Sequence, residues 1–302
     1  MKCLHPFRLR TIVVALLVSF VSTAAAAERS SDVHKILSCN IRVPLEEDDR
    51  AGNGWDARKD LCAEVIARCD GDIVCLQECH GRQLDDLKQR LKNYDSYGIA
   101  KPEPEFFPTN AILYDRSRYE LISAGGMWLS ETPHIAGSMS WDSARPRLAN
   151  WIHLRDRASG QEMRVWNTHL DHIGQEARRE QARVLLEAVA ALEPTNVMQI
   201  IVGDMNATAS HPAIQSITKA GFVDTYGAVH GPEDPGFTAH GFRGIKRPIK
   251  GDKVPGKIDW IFTRPGVNAL SAEIIRDSRD GRYPSDHFFV TAEIELPQRT
   301  SK

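Results

Sequence analysis

Several apolar segments of this 302-residue chain end in polar side chains that are suited to bind a cation or a phosphate group. In the clearest case, the β-branched run Ile200–Val202 is followed by Gly203, Asp204 and Asn206. The run predicts a strand buried on both faces, and the period of two places Asp204 and Asn206 on one face at its end. A carboxylate and an amide there suit a hard cation or a phosphate oxygen. Taken alone, the stretch is equally typical of a turn that ends a strand.

The same pattern recurs at other predicted strand ends, and this favours one site over a set of unrelated turns. The further polar residues at such ends are Asn40, Glu78, Asn167, His169, Asp259, Asp286 and His287. Ligands of layered α/β folds bind at one edge of the sheet, so we expect these side chains to meet. Their oxygen atoms are the donors that Mg²⁺, Mn²⁺ and Ca²⁺ prefer, and the set lacks the cysteines of a zinc site. His169 and His287 are candidate acids or bases near neutral pH.

Six short motifs follow one another in a family-specific order: Ser38-Cys39-Asn40, Leu76-Gln77-Glu78, Asn167-Thr168-His169-Leu170, Gly203-Asp204-Met205-Asn206, Lys257-Ile258-Asp259 and Ser285-Asp286-His287. In these motifs the chain resembles the endonuclease/exonuclease/phosphatase superfamily, and the resemblance covers nearly all of the chain after residue 27. Gly54-Trp55-Asp56, the segment 128–133, and Trp141-Asp142 with Arg147 are similar to a bacterial branch of that superfamily, often exported.

The resemblance implies an α/β fold with α+β character, a four-layer α/β/β/α sandwich of two packed mixed β-sheets flanked by helices. It also implies a role for each matching residue. Glu78 would be the principal metal ligand, with Asn40 and Asp286 beside it. Asp204 would orient or deprotonate the attacking water, and Asn206 would hold a phosphate oxygen. Asp259 would orient His287, His169 would be the second catalytic histidine, and the substrate would contact Arg147, Asn167 and Thr238.

The chemistry of this residue set is coherent by itself. Hydrolysis of a phosphodiester needs a cation, a nucleophilic water and a stabilised leaving oxygen, and an Asp–His pair holds an imidazole in one tautomer. We therefore expect a metal-dependent phosphodiesterase of the nuclease type, using Mg²⁺ or alternatively Mn²⁺ or Ca²⁺. The alternatives are a phosphomonoesterase or phospholipid head-group hydrolase, and a secreted binding protein that has kept the fold. The expected partner is a phosphoester substrate (nucleic acid, phospholipid or a small phosphodiester), acted on by a monomer.

The first 27 residues have the pattern of a secretory signal. Lys2, Arg8 and Arg10 precede the apolar run 12–21, and small residues follow up to Ala27. We expect cleavage there, a secreted or periplasmic protein, and one domain over residues 28–302; a retained anchor is the alternative. Cleavage would remove three basic and no acidic residues and take the formal charge from −2 to −5. So acidic a chain is not a general polyanion binder.

Cysteines, a basic segment and a short polar pair remain open to two interpretations. Cys39, Cys62, Cys69, Cys75 and Cys79 predict one or two disulfides in an oxidising compartment, with at least one free thiol. The basic loop His240–Lys257 either grips phosphates or only solubilises the chain. Asp171 and His172 follow the third motif, where they either contact the substrate or lie on the surface.

Apolar periodicity predicts alternating strands and helices, which indicates a layered architecture. The expected strands are 34–43, 72–78, 111–114, 119–130, 148–154, 163–170, 200–202, 257–262 and 288–296. The expected helices are 56–68, with Asp56 as a candidate N-cap, 83–91, 175–192 and a short one that ends near 220. We expect 111–114 and 119–130 to form a hairpin with its turn near Arg116. The acidic run 46–49 and the segment 230–256 are expected to be loops.

Overall fold

In the part of the chain that this computed structural model describes, β-branched and aromatic segments form twelve strands, which belong to two mixed six-stranded sheets. Residues 32–99, 109–192, 197–233, 235–246 and 256–297 are described, and the predicted signal segment lies outside them. The strands are β1 (Val33–Asn40), β2 (Ile73–Gln77), β3 (Tyr94–Tyr97), β4 (Ile112–Asp115), β5 (Tyr119–Trp128), β6 (Leu148–Asp156), β7 (Glu162–His169), β8 (Met198–Asp204), β9 (Val223–Asp224), β10 (Asp259–Thr263), β11 (Asn268–Ile275) and β12 (Phe289–Glu295).

The described residues also form six α-helices. They are α1 (Glu46–Arg50), α2 (Trp55–Cys69), α3 (Gly81–Arg90), α4 (Gln175–Ala191), α5 (Pro212–Lys219) and α6 (Thr225–His230), and a short 3₁₀ turn covers Gly244–Lys246. Among the described residues, no helix combines the length and the apolar character that crossing a bilayer requires.

The strand orders are β11-β12-β1-β2-β4-β3 and β5-β6-β7-β8-β10-β9. One core lies between the sheets and contains Ile36, Ile73, Ile152 and Val202. A second packs α2 and α3 on the first sheet, and a third packs α4 and α5 on the second. The predicted four-layer sandwich is therefore confirmed, because each sheet buries one face against the other sheet and one against helices.

The predicted hairpin of 111–114 and 119–130 is wrong. β4 pairs with β2 and β3 in the first sheet, whereas β5 pairs with β6 in the second, so the chain crosses between sheets after Asp115. A tight polar turn between two apolar segments is compatible with both connections, and only the packing of the two sheets decides between them. The strands β3, β9 and β11 and the helix α6 were also missed, since their apolar alternation is weak.

Three further expectations about local structure need correction. The acidic run 46–49 is helical rather than a solvated loop, and Asp48 is buried beside Arg42. Asp56 lies within the first turn of α2, which Gly54 precedes as N-cap, and its carboxylate accepts from Lys59 and Arg82 instead. The five cysteines in the described chain are all free and buried, so the predicted disulfides do not form. Four of them pack in the core beneath α2 and α3.

Gly203 permits the closest approach between two strands of the second sheet. Its backbone has φ +153°, and a Cβ atom there would lie 2.0 Å from the carbonyl oxygen of Thr168 in β7. Gly203 pairs with Thr168 one residue before the pair His169 and Asp204. The glycine therefore allows the parallel register that brings these two polar side chains together.

We expect Gly203→Ala to lower the free energy of unfolding by about 3 kcal/mol or more, because the methyl group meets backbone that cannot move independently. Urea denaturation checks this. Gly81→Ala is the matched control, since open space surrounds that position at the start of α3 and alanine favours a helix. Equal stabilities of the two variants would contradict the argument.

Candidate active site

Asp204 stands where three strands bring distant parts of the chain together. It is the last residue of β8, opposite His169 at the end of parallel β7 and opposite Asp259 at the start of antiparallel β10. On the other sheet, Asn40 ends β1 and donates its amide to Asp204 at 2.9 Å. The strand-end residues of both sheets thus meet at one end of the sandwich.

Asp259 and His287 form a buried hydrogen-bonded pair. Nδ1 of His287 lies 2.9 Å from Oδ2 of Asp259, which holds the imidazole in one orientation. Burial alone would lower the pKa of His287, but the carboxylates of Asp259, Asp204 and Asp286 raise it well above 6.5. The ring is therefore an imidazolium at neutral pH. Its Nε2 lies 3.9 Å from Oδ2 of Asp204, beyond hydrogen-bond distance, so the Nε2 proton is available to a substrate oxygen.

Asp204 is a buried carboxylate whose charged form is costly. Only 1% of the residue is exposed. Burial and the nearby charge of Asp259 raise its pKa to about 7, against the lowering effects of His287 and of hydrogen bonds from the Asn206 backbone and the Asn40 amide. A carboxylate with such a pKa can exchange a proton near neutral pH, which suits a general base.

Asn206 reaches the site by a backbone turn and not by continued strand geometry. Its φ is +46°, in the left-handed region, so the expected period of two ends at Asp204. The side-chain amide donates to Nε2 of His169 at 2.8 Å and to the carbonyl of Leu170 at 3.1 Å. Both amide hydrogens are used, which argues against the expected role as a phosphate donor. Asn206 instead holds His169, which must be neutral to accept this bond, and burial lowers the pKa of His169 well below 6.5.

The structure contains a compact group of possible metal ligands, but its hydrogen bonding points to another use. Asp204, Asp259 and His287 bring one candidate ligand atom each within 4.8 Å of one another. However, Nδ1 of His287 is engaged with Asp259 and the raised pKa keeps the ring protonated, so the imidazole has no lone pair for a metal. We interpret this group as the proton-handling part of the site.

Glu78 and Asp286 are better suited to hold a hard divalent ion. Glu78 follows β2 with φ +58°, a strained conformation for glutamate, and is partly exposed to solvent. Its Oε2 accepts from the backbone of Val43 at 2.9 Å. Burial raises the pKa of Asp286, and the charge of Glu78 raises it further. A divalent cation would relieve this repulsion between two oxygen donors, and the donor set fits such an ion.

Asn40 joins two carboxylates of the site, Asp204 and Glu78. Its amide nitrogen donates to Asp204 and, at 3.3 Å, to Oε1 of Glu78, while its oxygen accepts from the backbone of Arg42. Each polar atom of Asn40 thus has a partner, and its predicted place among the metal ligands stays a prediction.

Two of the residues expected to contact the substrate form hydrogen bonds within the protein instead. Asn167 is fully buried between the sheets; its amide nitrogen donates to carbonyls of Leu76 and Asn110, and its oxygen accepts from Gln77. The hydroxyl of Thr238 accepts from the backbone N–H of Ile258 and Asp259, at 3.0 and 3.2 Å. Both side chains are fully buried and bonded internally, which does not favour the predicted contact of Asn167 and Thr238 with the substrate. Thr238 fixes the start of β10 instead.

Arg147, the third expected contact, does lie at the site. The side chain is largely buried, with Nε 3.5 Å from Asp171. Burial lowers its pKa, while the charges of Asp171, Asp204 and Glu78 act in the opposite direction. A buried guanidinium whose charge interacts with those of Asp204 and Glu78 is suited to bind a phosphate oxygen.

Arg58 was not identified from the sequence, although it fixes two loops of the site. The buried guanidinium donates to the carbonyls of Ile41, Arg42 and Asn53 and, at 3.0 Å, to that of Pro284. It thereby joins the end of β1 to the turn that carries Asp286 and His287. An arginine within helix α2 gives no signal for the contact with Pro284, which lies 226 residues away in the sequence.

The comparisons with known proteins agree with this geometry. Over residues 37–287 the chain matches the model of the Endonuclease/Exonuclease/phosphatase family, and it belongs to that family. Members of the family are phosphoesterase hydrolases that generally depend on a divalent metal, so the predicted enzyme class is confirmed.

Solved structures and sequence relatives place the chain among nuclease-type and phosphatase-type proteins. A family member from Bacteroides thetaiotaomicron is 28% identical with a TM-score of 0.77, over 87% of this chain and 98% of that one. The mannosyl-6-phosphatase of the same bacterium is also 28% identical, with a TM-score of 0.77 over 87% and 100%. Nocturnin from Drosophila melanogaster is 26% identical over 285 residues, 80% of this chain and 42% of Nocturnin. The chain spans between 19% and 66% of the length of the first curated relatives it matches.

The raised pKa of Asp204 predicts a pH-dependent stability. The folded state holds a proton on Asp204 up to about pH 7, whereas the unfolded chain releases it near 3.8, so stability falls as pH rises between these values. His287 acts in the same direction, because its stabilising charge is fully present below 6.5 and is lost as pH rises through its raised pKa.

In the presence of EDTA, we expect the free energy of unfolding of the wild type to fall between pH 5 and pH 8. This fall should exceed the fall in Asp204→Asn by on the order of 2 kcal/mol. Urea denaturation at both pH values measures the difference. Asp95→Asn, an exposed substitution on edge strand β3, should keep the wild-type slope. An unchanged slope in Asp204→Asn would contradict the assignment.

Proposed function

We propose that this protein is a divalent-metal-dependent phosphoester hydrolase in which water attacks the phosphorus atom. The observation that carries the proposal is the convergence of Asp204, the Asp259–His287 pair and Glu78 at one end of the sandwich. A base, a fixed cationic donor and oxygen ligands for a metal are the three components that such a reaction needs.

Asp204 orients the attacking water and accepts its proton as the new P–O bond forms. Its pKa near 7 makes it a stronger base than an ordinary carboxylate, and its neighbours Asn40 and Asn206 fix the direction of its oxygens. His287 directs its Nε2 proton at a phosphate oxygen and stabilises the charge that develops as the ester bond breaks. Asp259 keeps the ring in this orientation.

A divalent ion would be held by Glu78 and Asp286, and Mg²⁺ is the ion that we propose, with Mn²⁺ or Ca²⁺ as alternatives. When bound, such an ion neutralises phosphate charge and polarises the phosphoryl oxygen. Arg147 supplies a further fixed positive charge near Glu78. Arg42 lies 3.5 Å from Asp286 and is held by Asp48, so its charge also stabilises the Asp286 carboxylate.

Two substrate classes are compatible with this machinery. The nuclease-type sequence pattern favours a phosphodiester. A phosphomonoester of a sugar is the second candidate, favoured by the 28% identity to a mannosyl-6-phosphatase that this chain covers along its full length. The acidic charge balance of the chain also favours a small substrate over a nucleic acid.

The test is a panel of bis-(p-nitrophenyl) phosphate, p-nitrophenyl phosphate, hexose 6-phosphate, RNA and plasmid DNA, each with Mg²⁺ and with EDTA. We expect turnover with metal only. Asp204→Asn and His287→Gln should each lower kcat by about 10³-fold, because each removes a group that acts on the proton or the developing charge.

The control is Asp95→Asn, a change of the same kind at an exposed position on edge strand β3. This variant should keep wild-type kcat. Full activity in Asp204→Asn and His287→Gln would refute the mechanism. Binding of metal without turnover on any phosphoester would instead favour a binding protein that has kept the fold.

We further propose that residues 1–27 direct export. The five described cysteines are free and buried, which is compatible with an oxidising compartment because no thiol is presented to solvent. After expression of the full chain in a bacterium, mass spectrometry of the periplasmic fraction should find an N-terminus at Glu28. A triple replacement of Lys2, Arg8 and Arg10 by glutamate should retain the precursor. An intact cytoplasmic chain in the wild type would contradict export.

A further inference from the structure

A buried carboxylate beside the site organises two loops that the proposed chemistry does not explain. Asp171 is fully buried. Its Oδ1 accepts from the backbone of Ile173 and Gly174, and its Oδ2 from the backbone of Ala144 and Arg145, all within 3.2 Å. Burial alone would raise its pKa, but these donors and the charge of Arg147 lower it to about 2. Asp171 therefore remains ionised and joins the segment before β6 to the segment after β7.

This arrangement places His172 against Arg147. Nη2 of Arg147 lies 3.0 Å from Nδ1 of His172. A guanidinium can only donate, so Nδ1 must be the acceptor and the ring must be neutral, with its proton on Nε2. Burial and the charge of Arg147 lower the pKa of His172, in agreement with this state. The tautomer of His172 is therefore set by Arg147.

His172 presents that Nε2 proton at the rim of the site. Its side chain is 47% exposed, in contrast to the buried His169 and His287. His172 lies two residues after Leu170, whose backbone N–H donates to the carbonyl of Asp204 at 3.0 Å and whose carbonyl accepts from Asn206, so the ring stands beside the site. An exposed donor of fixed orientation beside a buried guanidinium is suited to recognise the group attached to the phosphate.

We propose that His172 is a specificity-determining residue that donates its Nε2 proton to a hydroxyl or ring oxygen of the alcohol esterified to the phosphate, while Arg147 holds a phosphate oxygen. This inference rests on the proposed phosphoester hydrolysis. The substrate class is a phosphate ester of a polyhydroxylated alcohol, such as a sugar phosphate. An aryl phosphate offers no oxygen at that position, so His172 contributes nothing to its recognition.

Two substitutions test separately the roles of the two ring nitrogens of His172. In His172→Asn the amide oxygen can replace Nδ1 as the acceptor for Arg147, but the outward donor is lost. In His172→Gln the amide nitrogen reaches the place of Nε2 and keeps a donor. We expect His172→Asn to lower kcat/KM for hexose 6-phosphate about tenfold through KM, and to change p-nitrophenyl phosphate less than twofold. His172→Gln should recover most of the loss.

The control is His134→Ala, an exposed histidine on the connection between β5 and β6, which should change neither substrate. Thermal unfolding confirms that each variant is folded. Equal losses on both substrates, or no loss in His172→Asn, would show that His172 only packs against Arg147 and would overturn the inference. If the wild type hydrolyses no phosphoester with metal, the proposed function fails first. If it hydrolyses both substrates and the variants do not discriminate, only this inference fails.

Discussion

The burial of Asp204 is the constraint on which the rest of the site depends. A carboxylate that is removed from water is costly in its charged form, and it is tolerated only where donors and a positive charge surround it. Here the Asn40 amide, the backbone of Asn206 and the imidazolium of His287 fulfil that need. The same three groups also fix the direction in which Asp204 can accept a proton. The groups that stabilise the buried charge of Asp204 are therefore also the groups that orient it for its proposed role as a base.

Strain concentrates around this carboxylate. Arg42, Glu78 and Asn206 all have positive φ, a conformation that side chains with a Cβ rarely adopt. Each stands one or two residues after the end of a strand, where the backbone turns and directs a polar group towards the site. The buried guanidinium of Arg58 holds the first of these turns to the segment before Asp286. Such features reduce stability and persist where the surrounding packing fixes them.

The sequence-based predictions that failed share one physical cause. β4 and β5 were predicted as partners because each has the alternation of a strand, but alternation does not identify the partner strand. The resemblance implies substrate contacts for Asn167 and Thr238, yet both side chains are buried and hydrogen-bond to backbone groups. The sequence indicates that a residue is polar and near a strand end. It does not indicate whether the polar side chain is already hydrogen-bonded to a neighbouring backbone group.

The sequence by itself determined the layered fold, the helices α2, α4 and α5, and the strand ends that meet, because periodicity and strand-end chemistry are local properties. It also predicted that Glu78, Asp204, Asp259 and His287 contribute to one site. Only the tertiary structure decided that Asn206 serves His169, that Asn40 bridges two carboxylates and that Arg58 and Asp171 position the loops. These assignments depend on contacts between residues far apart in sequence, and hydrogen-bond partners at such separations are fixed by packing alone.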